Sequence, residues 1–214
     1  ILFVRDDDIP EYVRDGVCDL GIVGRDVLKE SEISLETLLE LGFGKCHLAI
    51  AVPKEGMIEN IKDLQQKRIA TSYPRVLARY LQENKINARV VSISGSVELA
   101  PSLKIADAIC DLVSTGSTLR THDLKSIATV LESQAVLVEP TQNFPTAEKA
   151  AIIDQLARRI DAVLAAERTK YIVLNAPKNK VDEIARVIPG TKSPTVMPLY
   201  NPDWVAIHSV VPED

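Results

Sequence analysis

The stretch Asp107–Leu119 carries most of the chemistry legible in this chain. An apolar run, Ala108-Ile109-Cys110-Asp111-Leu112-Val113, holds one carboxylate near its end and passes into the hydroxyl-rich turn Ser114-Thr115-Gly116-Ser117-Thr118-Leu119. Such a turn aims successive backbone N–H groups and hydroxyls at one point, which is what a phosphate monoester needs. Asp111, four residues before Thr115, is placed to accept hydrogen bonds from sugar hydroxyls beside that phosphate. The combination reads as ribose 5-phosphate recognition. The same residues also suit a plain strand-to-helix turn with Ser and Thr as caps, and the stretch alone does not separate the two. Gly95-Ser96-Val97-Glu98 is a second place of this type. There Glu98 could meet a ribose hydroxyl or a bound Mg²⁺, while capping is the simpler reading.

Other candidates weigh toward structure. Asp6-Asp7-Asp8 stands before Ile9-Pro10, where acidic residues complement the start of a helix more often than they bind metal. His47 sits in an apolar strand, His122 follows the hydroxyl-rich turn, and His208 lies in the last strand without a visible partner. None has metal-ligand spacing, so no protein metal site is expected. Cys18, Cys46 and Cys110 are far apart with no CxxC. They read as small buried hydrophobes in a reducing, cytoplasmic setting.

These residues must be held by regular elements. Cys18–Gly24, Cys46–Pro53, 67–71, 88–93, Asp107–Val113 and 134–138 are short apolar runs closed by turn residues, and helical patterns fall between them. Ile1–Val4 reads as the inside of a buried strand. A helix opens after Pro74, with Val76, Leu77, Tyr80 and Leu81 as its apolar stripe. The strand–helix–strand order predicts a parallel, helix-covered sheet. A long helix over 146–168 carries Ile152, Leu156, Ile160 and Val163/Leu164 at helical spacing. Beyond it the pattern changes to β-α-β-β, with strands at 170–176, 195–199 and 204–211 around a helix at 180–188. Asn175 and Ala176 end the first of these strands, and Thr191, Ser193 and Thr195 cluster after Pro189-Gly190. If neighbouring strand ends meet, these groups could hold the carboxylate and ammonium of a small zwitterion; a solvated loop is the alternative. Both chain ends fall in or beside such elements, which points to a longer polypeptide.

Composition limits the partners. The 214 residues carry 25 Lys and Arg against 30 Asp and Glu, a formal charge of −5, which argues against binding nucleic acid by broad positive charge. No apolar run approaches the roughly 18–20 residues of a membrane helix, so no membrane partner is expected. Aromatics are 4%, which leaves Val, Ile, Leu and Ala to build the core.

Taken together, Ser94-Gly95-Ser96-Val97-Glu98-Leu99-Ala100-Pro101 and Asp111…Thr115-Gly116-Ser117-Thr118-Leu119 closely resemble ATP phosphoribosyltransferase of the histidine pathway. So do Arg5-Asp6-Asp7-Asp8-Ile9-Pro10, Asp19-Leu20-Gly21-Ile22-Val23-Gly24-Arg25-Asp26 and Ile69-Ala70-Thr71-Ser72-Tyr73-Pro74. Gly190-Thr191-Lys192-Ser193-Pro194-Thr195 is similar to the regulatory domain of the long form. The resemblance implies an α/β fold: a two-lobed, periplasmic-binding-protein-like (type II) core and a ferredoxin-like α+β regulatory domain. Lobe I would be 1–49 with 135–168, lobe II 50–134, and the regulatory domain 169–214. The strands at Cys46–Pro53 and Gln134–Pro140 would cross between the lobes.

The implied reaction joins N1 of the adenine of ATP to C1 of the ribose of phosphoribosyl pyrophosphate, with Mg²⁺, releasing pyrophosphate. By the motifs, Ser114, Thr115, Gly116, Ser117, Thr118 and Leu119 would cradle the 5-phosphate, Asp111 would hold the ribose hydroxyls, and Glu98 would assist. Arg5, Asp19 and Leu20 would line the ATP side. The zwitterion of the tail would be histidine, held near Asn175, Ala176, Thr191, Ser193 and Thr195 as a feedback inhibitor. A homo-oligomer, from dimer to hexamer, is expected. The rival reading is a non-catalytic two-lobed ligand-binding or regulatory protein; a solute receptor has no need of a ribose-phosphate cradle, whereas a catalytically dead regulatory relative would still bind the sugar phosphate.

Overall fold

Val-, Ile- and Ala-rich runs bounded by Gly and Pro become the strands of this α/β chain. A computed structural model describes residues 1–142 and 146–213. It divides into two compact units, Ile1–Thr146 and Ala147–Asp214. In chain order the first unit holds α1 (Ile9–Arg14), β1 (Gly21–Gly24), α2 (Arg25–Ser31), β2 (Leu35–Glu40) and β3 (Cys46–Pro53). It continues with β4 (Arg68–Thr71), α3 (Pro74–Glu83), β5 (Arg89–Ser92), β6 (Ala108–Val113), α4 (Ser117–Thr121), β7 (Leu124–Ser133) and β8 (Ala135–Pro140).

Two sheets form from these strands, a three-stranded β1-β8-β2 and a five-stranded β5-β4-β6-β3-β7. β4 runs parallel to both β5 and β6, with Thr71 level with Ser92 on one side and Cys110 on the other. The C-terminal ends of β5, β4 and β6 therefore leave the sheet at one edge. The segments starting at Ile93, Ser72 and Ser114 are thereby brought side by side. A forked Arg68–Asp107 pair, with N–O distances of 3.0 and 3.3 Å, ties the opposite ends of β4 and β6. β3 is buried on both faces, as its unbroken apolar run requires. Leu48, Ile50 and Val52 pack with Ile69, Leu77 and Leu81 on one side. Ala49 and Ala51 pack with Ile109, Val113 and Leu119, beneath the turns, on the other.

In the second unit, α5 (Ala147–Glu167) precedes β9 (Thr169–Pro177), α6 (Val181–Val187), β10 (Thr195–Pro198) and β11 (Trp204–Pro212). The strands form an antiparallel sheet of order β10-β11-β9. Leu174, Ala176, Val205 and Ile207 pack under Val181, Ile184 and Ile188 of the α6 region.

Several expectations are corrected. The five-stranded sheet is mixed rather than parallel, because β3 is antiparallel to both β6 and β7. β2 and β7 escape the sequence reading because polar residues interrupt their apolar pattern, as suits partly exposed strands. Ile1–Val4 forms no strand and is exposed, since neither sheet pairs with it. β3 and β8 do not themselves pass from one sheet to the other; the links are residues 41–45 and Gln134. On α5 the buried position is Ile153, while Ile152, Leu156 and Val163 are exposed. This helix groups with the C-terminal unit.

Candidate functional site

The hydroxyl-rich turn leaves β6 at the shared sheet edge. Gly116 takes φ +70°, a left-handed conformation that L side chains adopt only with strain, and caps the start of α4. The hydroxyls of Thr115 and Ser117 lie 3.0 Å apart, and the Arg120 guanidinium folds back to donate to the Thr115 carbonyl at 3.2 Å. Ser114, Thr115, Ser117 and Thr118 are exposed, whereas Leu119 is buried in the core below. The turn therefore presents hydroxyls and a fixed cation to solvent while its last residue anchors it.

Asp111 stands on β6 level with Ala49, half-buried. Its carboxylate accepts from the Leu112 amide at 2.9 Å. Burial pushes this carboxyl above the usual carboxylate range, the Leu112 amide opposes that, and the charge of Glu98 adds to it. Glu98 lies in the helical turn Val97–Leu99, just after the left-handed Gly95 and Ser96, so the two carboxylates share this edge.

A raised carboxyl pKa means that the folded state holds the proton more tightly than the unfolded chain. Protonation of Asp111 then favours folding, and its stability contribution is lost as pH rises from the ordinary carboxylate range through the folded value. Asp111→Asn is expected to melt a few degrees above the parent at pH 7. The gap should close as the pH approaches about 4. A variant less stable than the parent at pH 7 in thermal melts would overturn this account of Asp111.

Asp19 and Leu20 immediately precede β1, and Arg5 is exposed before α1. Structure adds residues that sequence reading missed. The buried Asp26 of α2 accepts from the Tyr73 hydroxyl at 2.9 Å and from Ser133 Oγ at 2.5 Å. Burial, then the Asp26 charge and hydrogen bond, push the Tyr73 phenol up; Asp111 and Asp7 add smaller pushes in the same direction. Tyr73 thus joins the start of α3 to Asp26 of α2 and feels the charges of Asp111 and Asp7. A cavity of about 630 Å³ lies beside it, lined by Asp7, Glu30, Ser72, Arg75 and Gly95 among others. A second, of about 340 Å³, is lined by Arg25, Lys45, His47, Ser114 and Gln134 among others. Asp26 and Tyr73 carried a sequence signal as members of the motifs Asp19–Asp26 and Ile69–Pro74, and Arg120 stands one helical turn beyond Gly116.

In the C-terminal unit the candidate residues are spread. Asn175 and Ala176 point to opposite faces of β9, and Ala176 is buried. Thr195 opens β10 level with Val173, not with Asn175. Gly190 lies against Ser209, near the other end of the sheet. Asn175 and Ala176 line a cavity of about 570 Å³ with Lys180, Glu183 and Trp204; Thr191, Ser193 and Thr195 do not. His208 has a partner after all, the Tyr171 hydroxyl at 2.6 Å from Nδ1.

A sequence profile described as ATP phosphoribosyltransferase matches residues 5–162, and one described as HisG, C-terminal domain, matches 166–214. The ATP phosphoribosyltransferase of Cytophaga hutchinsonii is 51% identical over 213 residues, covering 100% of this chain and 74% of that protein. The solved ATP phosphoribosyl transferase (HisG:HisZ) complex from Thermotoga maritima superposes with a TM-score of 0.66 at 30% identity, covering 76% of this chain and 78% of that one. The substrate binding protein of an amino acid ABC transporter gives 0.53 at 15% identity over 75% of this chain and 70% of its own, a likeness of fold alone. The first profile runs from the acidic segment before α1 through both sheets and the turn at Gly116, and the relatives carry the same name across the whole length: the chain belongs to the ATP phosphoribosyltransferase family.

Proposed function

We propose that this chain transfers the phosphoribosyl group of phosphoribosyl pyrophosphate to N1 of ATP, the first step of histidine biosynthesis. The observation that carries the reading is the Ser114–Leu119 turn beside Asp111 at one sheet edge. The exposed hydroxyls and the turn's backbone amides bind the 5-phosphate, with Arg120 as a nearby cation. Leu119 contributes by anchoring the turn. Asp111, with Glu98, holds the ribose hydroxyls. Adenine N1 forms the new bond to C1 as the C1–O bond to pyrophosphate breaks, and carboxylates beside the ribose favour the positive charge that develops at C1. Arg5, Asp19 and Leu20 line the ATP side.

Mg²⁺ fits this donor set. Among the described residues no three His, Cys, Asp or Glu side chains form a cage, but magnesium bound through one or two carboxylates and substrate phosphates needs none. Glu98 and Asp111 would hold it, and it would neutralise charge on the departing pyrophosphate.

The three-stranded sheet and its helices form one lobe of the catalytic core and the five-stranded sheet the other, as in periplasmic-binding-protein-like folds. The C-terminal unit is a ferredoxin-like regulatory domain of the long form of the family, a reading supported by its β-α-β-β order with β11 central. It binds histidine as feedback inhibitor, with Asn175 and Ala176 nearest the site. The protein works in the cytoplasm as a homo-oligomer. Tyr171, Val173 and Met197, exposed on one sheet face, support assembly through this unit.

Full-length protein incubated with ATP, phosphoribosyl pyrophosphate and Mg²⁺ is expected to release pyrophosphate and give a new adenine absorbance. Failure to form product under any metal condition would overturn the catalytic reading in favour of a non-catalytic regulatory relative. Added histidine should inhibit non-competitively with phosphoribosyl pyrophosphate, and a version ending at Thr146 should escape inhibition. A ligand shifts only a state it binds better, so equal inhibition of both would put the histidine site elsewhere.

A further inference from the structure

We propose that the meeting of α2 with α3 is a clamp that sets the cleft between the two sheets of the first unit, with Glu30, Arg75 and Tyr73 as positioning residues for the transfer. The inference rests on the reaction proposed above.

Glu30 lies in the last turn of α2 and is half-buried. Its carboxylate accepts from the Arg75 amide at 3.0 and 3.1 Å and from the Val76 amide at 2.9 Å. These belong to the first turn of α3, whose amides have no partner within their own helix; Pro74, before them, has no N–H to satisfy. In return, the Arg75 guanidinium donates to the carbonyls of Glu30 at 3.1 Å and Ser31 at 3.3 Å, at the end of α2. Each helix thus has its open end closed by a side chain of the other. The charges match the helix dipoles, with the carboxylate at an N-terminus and the guanidinium at a C-terminus. Glu32 extends the contact to Arg79 at 3.2 Å.

Asp26 lies one helical turn before Glu30, on the same face of α2, and grips the same place through the hydroxyl of Tyr73, the residue just before α3. Both carboxylates of that face are thus engaged with the β4–α3 junction. The partners belong to different sheets: α2 follows β1 of the three-stranded sheet, and α3 follows β4 of the five-stranded one. The junction leaves the sheet at the edge that also carries the Gly116 turn and the Gly95 segment. Whatever sets α2 against α3 therefore sets the sugar-phosphate groups against the segment before β1, where Asp19 and Leu20 stand. A polar, charge-matched contact can also open and re-form as a unit, as hinged closure requires.

The test uses full-length protein carrying Glu30→Ala or Tyr73→Phe. Phosphoribosyl pyrophosphate alone should bind each variant within about twofold of the parent, because its groups lie on the five-stranded sheet. kcat should fall by about tenfold or more, since misplacement on the ångström scale can cost up to about 100-fold. Glu30→Ala combined with Arg75→Ala should be no worse than either alone. Spin labels on Glu36→Cys and Glu83→Cys, with Cys18 and Cys46 replaced by Ser, should give a broader distance distribution when Glu30→Ala is added. Unchanged kcat with only a lower melting temperature, or an unchanged distance distribution, would reduce the contact to ordinary packing. Should Glu30→Ala not fold, Tyr73→Phe, which removes one hydroxyl, decides by its kcat. If the parent makes no phosphoribosyl-ATP, the reaction reading fails and the distance measurement still judges the clamp.

Discussion

Gly116→Val is expected to weaken phosphoribosyl pyrophosphate binding by at least about 60-fold, with ATP affinity little changed. The left-handed backbone at Gly116, φ +70°, costs an L side chain roughly 1–2 kcal/mol, and Val, branched at Cβ, resists it further. Moving the turn out of that conformation misdirects the amides that face a bound phosphate. Losing one charge-assisted hydrogen bond costs about 1.5–3 kcal/mol more. Together these give about 2.5–5 kcal/mol, and each 1.4 kcal/mol is about tenfold in affinity. Thr115→Val separates chemistry from backbone strain. Among the described residues its hydroxyl contacts only Ser117 Oγ at 3.0 Å and, at 3.4 Å, the Ser117 amide, so folding should be little affected while sugar-phosphate affinity falls about 10- to 100-fold. Calorimetric titration of each substrate reads both effects. If Thr115→Val binds phosphoribosyl pyrophosphate as the parent does, the turn is only a cap.

Leu119→Ala should show the opposite signature. Sequence places Leu119 in the cradle, but its side chain is buried against Ile109, Val113 and Ala49. Truncating a buried Leu costs about 2–5 kcal/mol, the spread reflecting how far the cavity collapses. Denaturant midpoints should drop accordingly. Leu119→Met, which conserves volume, should lose less than about 1.5 kcal/mol and keep its affinity for phosphoribosyl pyrophosphate. A Leu119→Ala protein as stable as the parent, but deficient in binding, would show that the side chain and not only the backbone of this residue serves the ligand.

What the sequence determined by itself is local. The strand carrying Asp111, the glycine that only a left-handed turn requires, the helix after Pro74 and the β-α-β-β tail all follow from patterns within a few residues, because turn chemistry and side-chain period act over that range. The family was legible for the same reason, since its motifs are contiguous. What only the tertiary structure decided is non-local. The antiparallel placement of β3 against β6 and β7 depends on register between distant segments. The burial of Leu119 depends on what lies beneath the turn, and the separation of Thr195 from Asn175 on which strand comes between them. The clamp is the clearest case. Asp26 and Tyr73 lie in motifs that give neither a partner, Glu30 and Arg75 lie in no motif, and Glu30 and Arg75 are 45 residues apart. Each became significant only when folding set one helix end against another, where unpartnered amides and carbonyls demand partners and burial raises the cost of leaving them without.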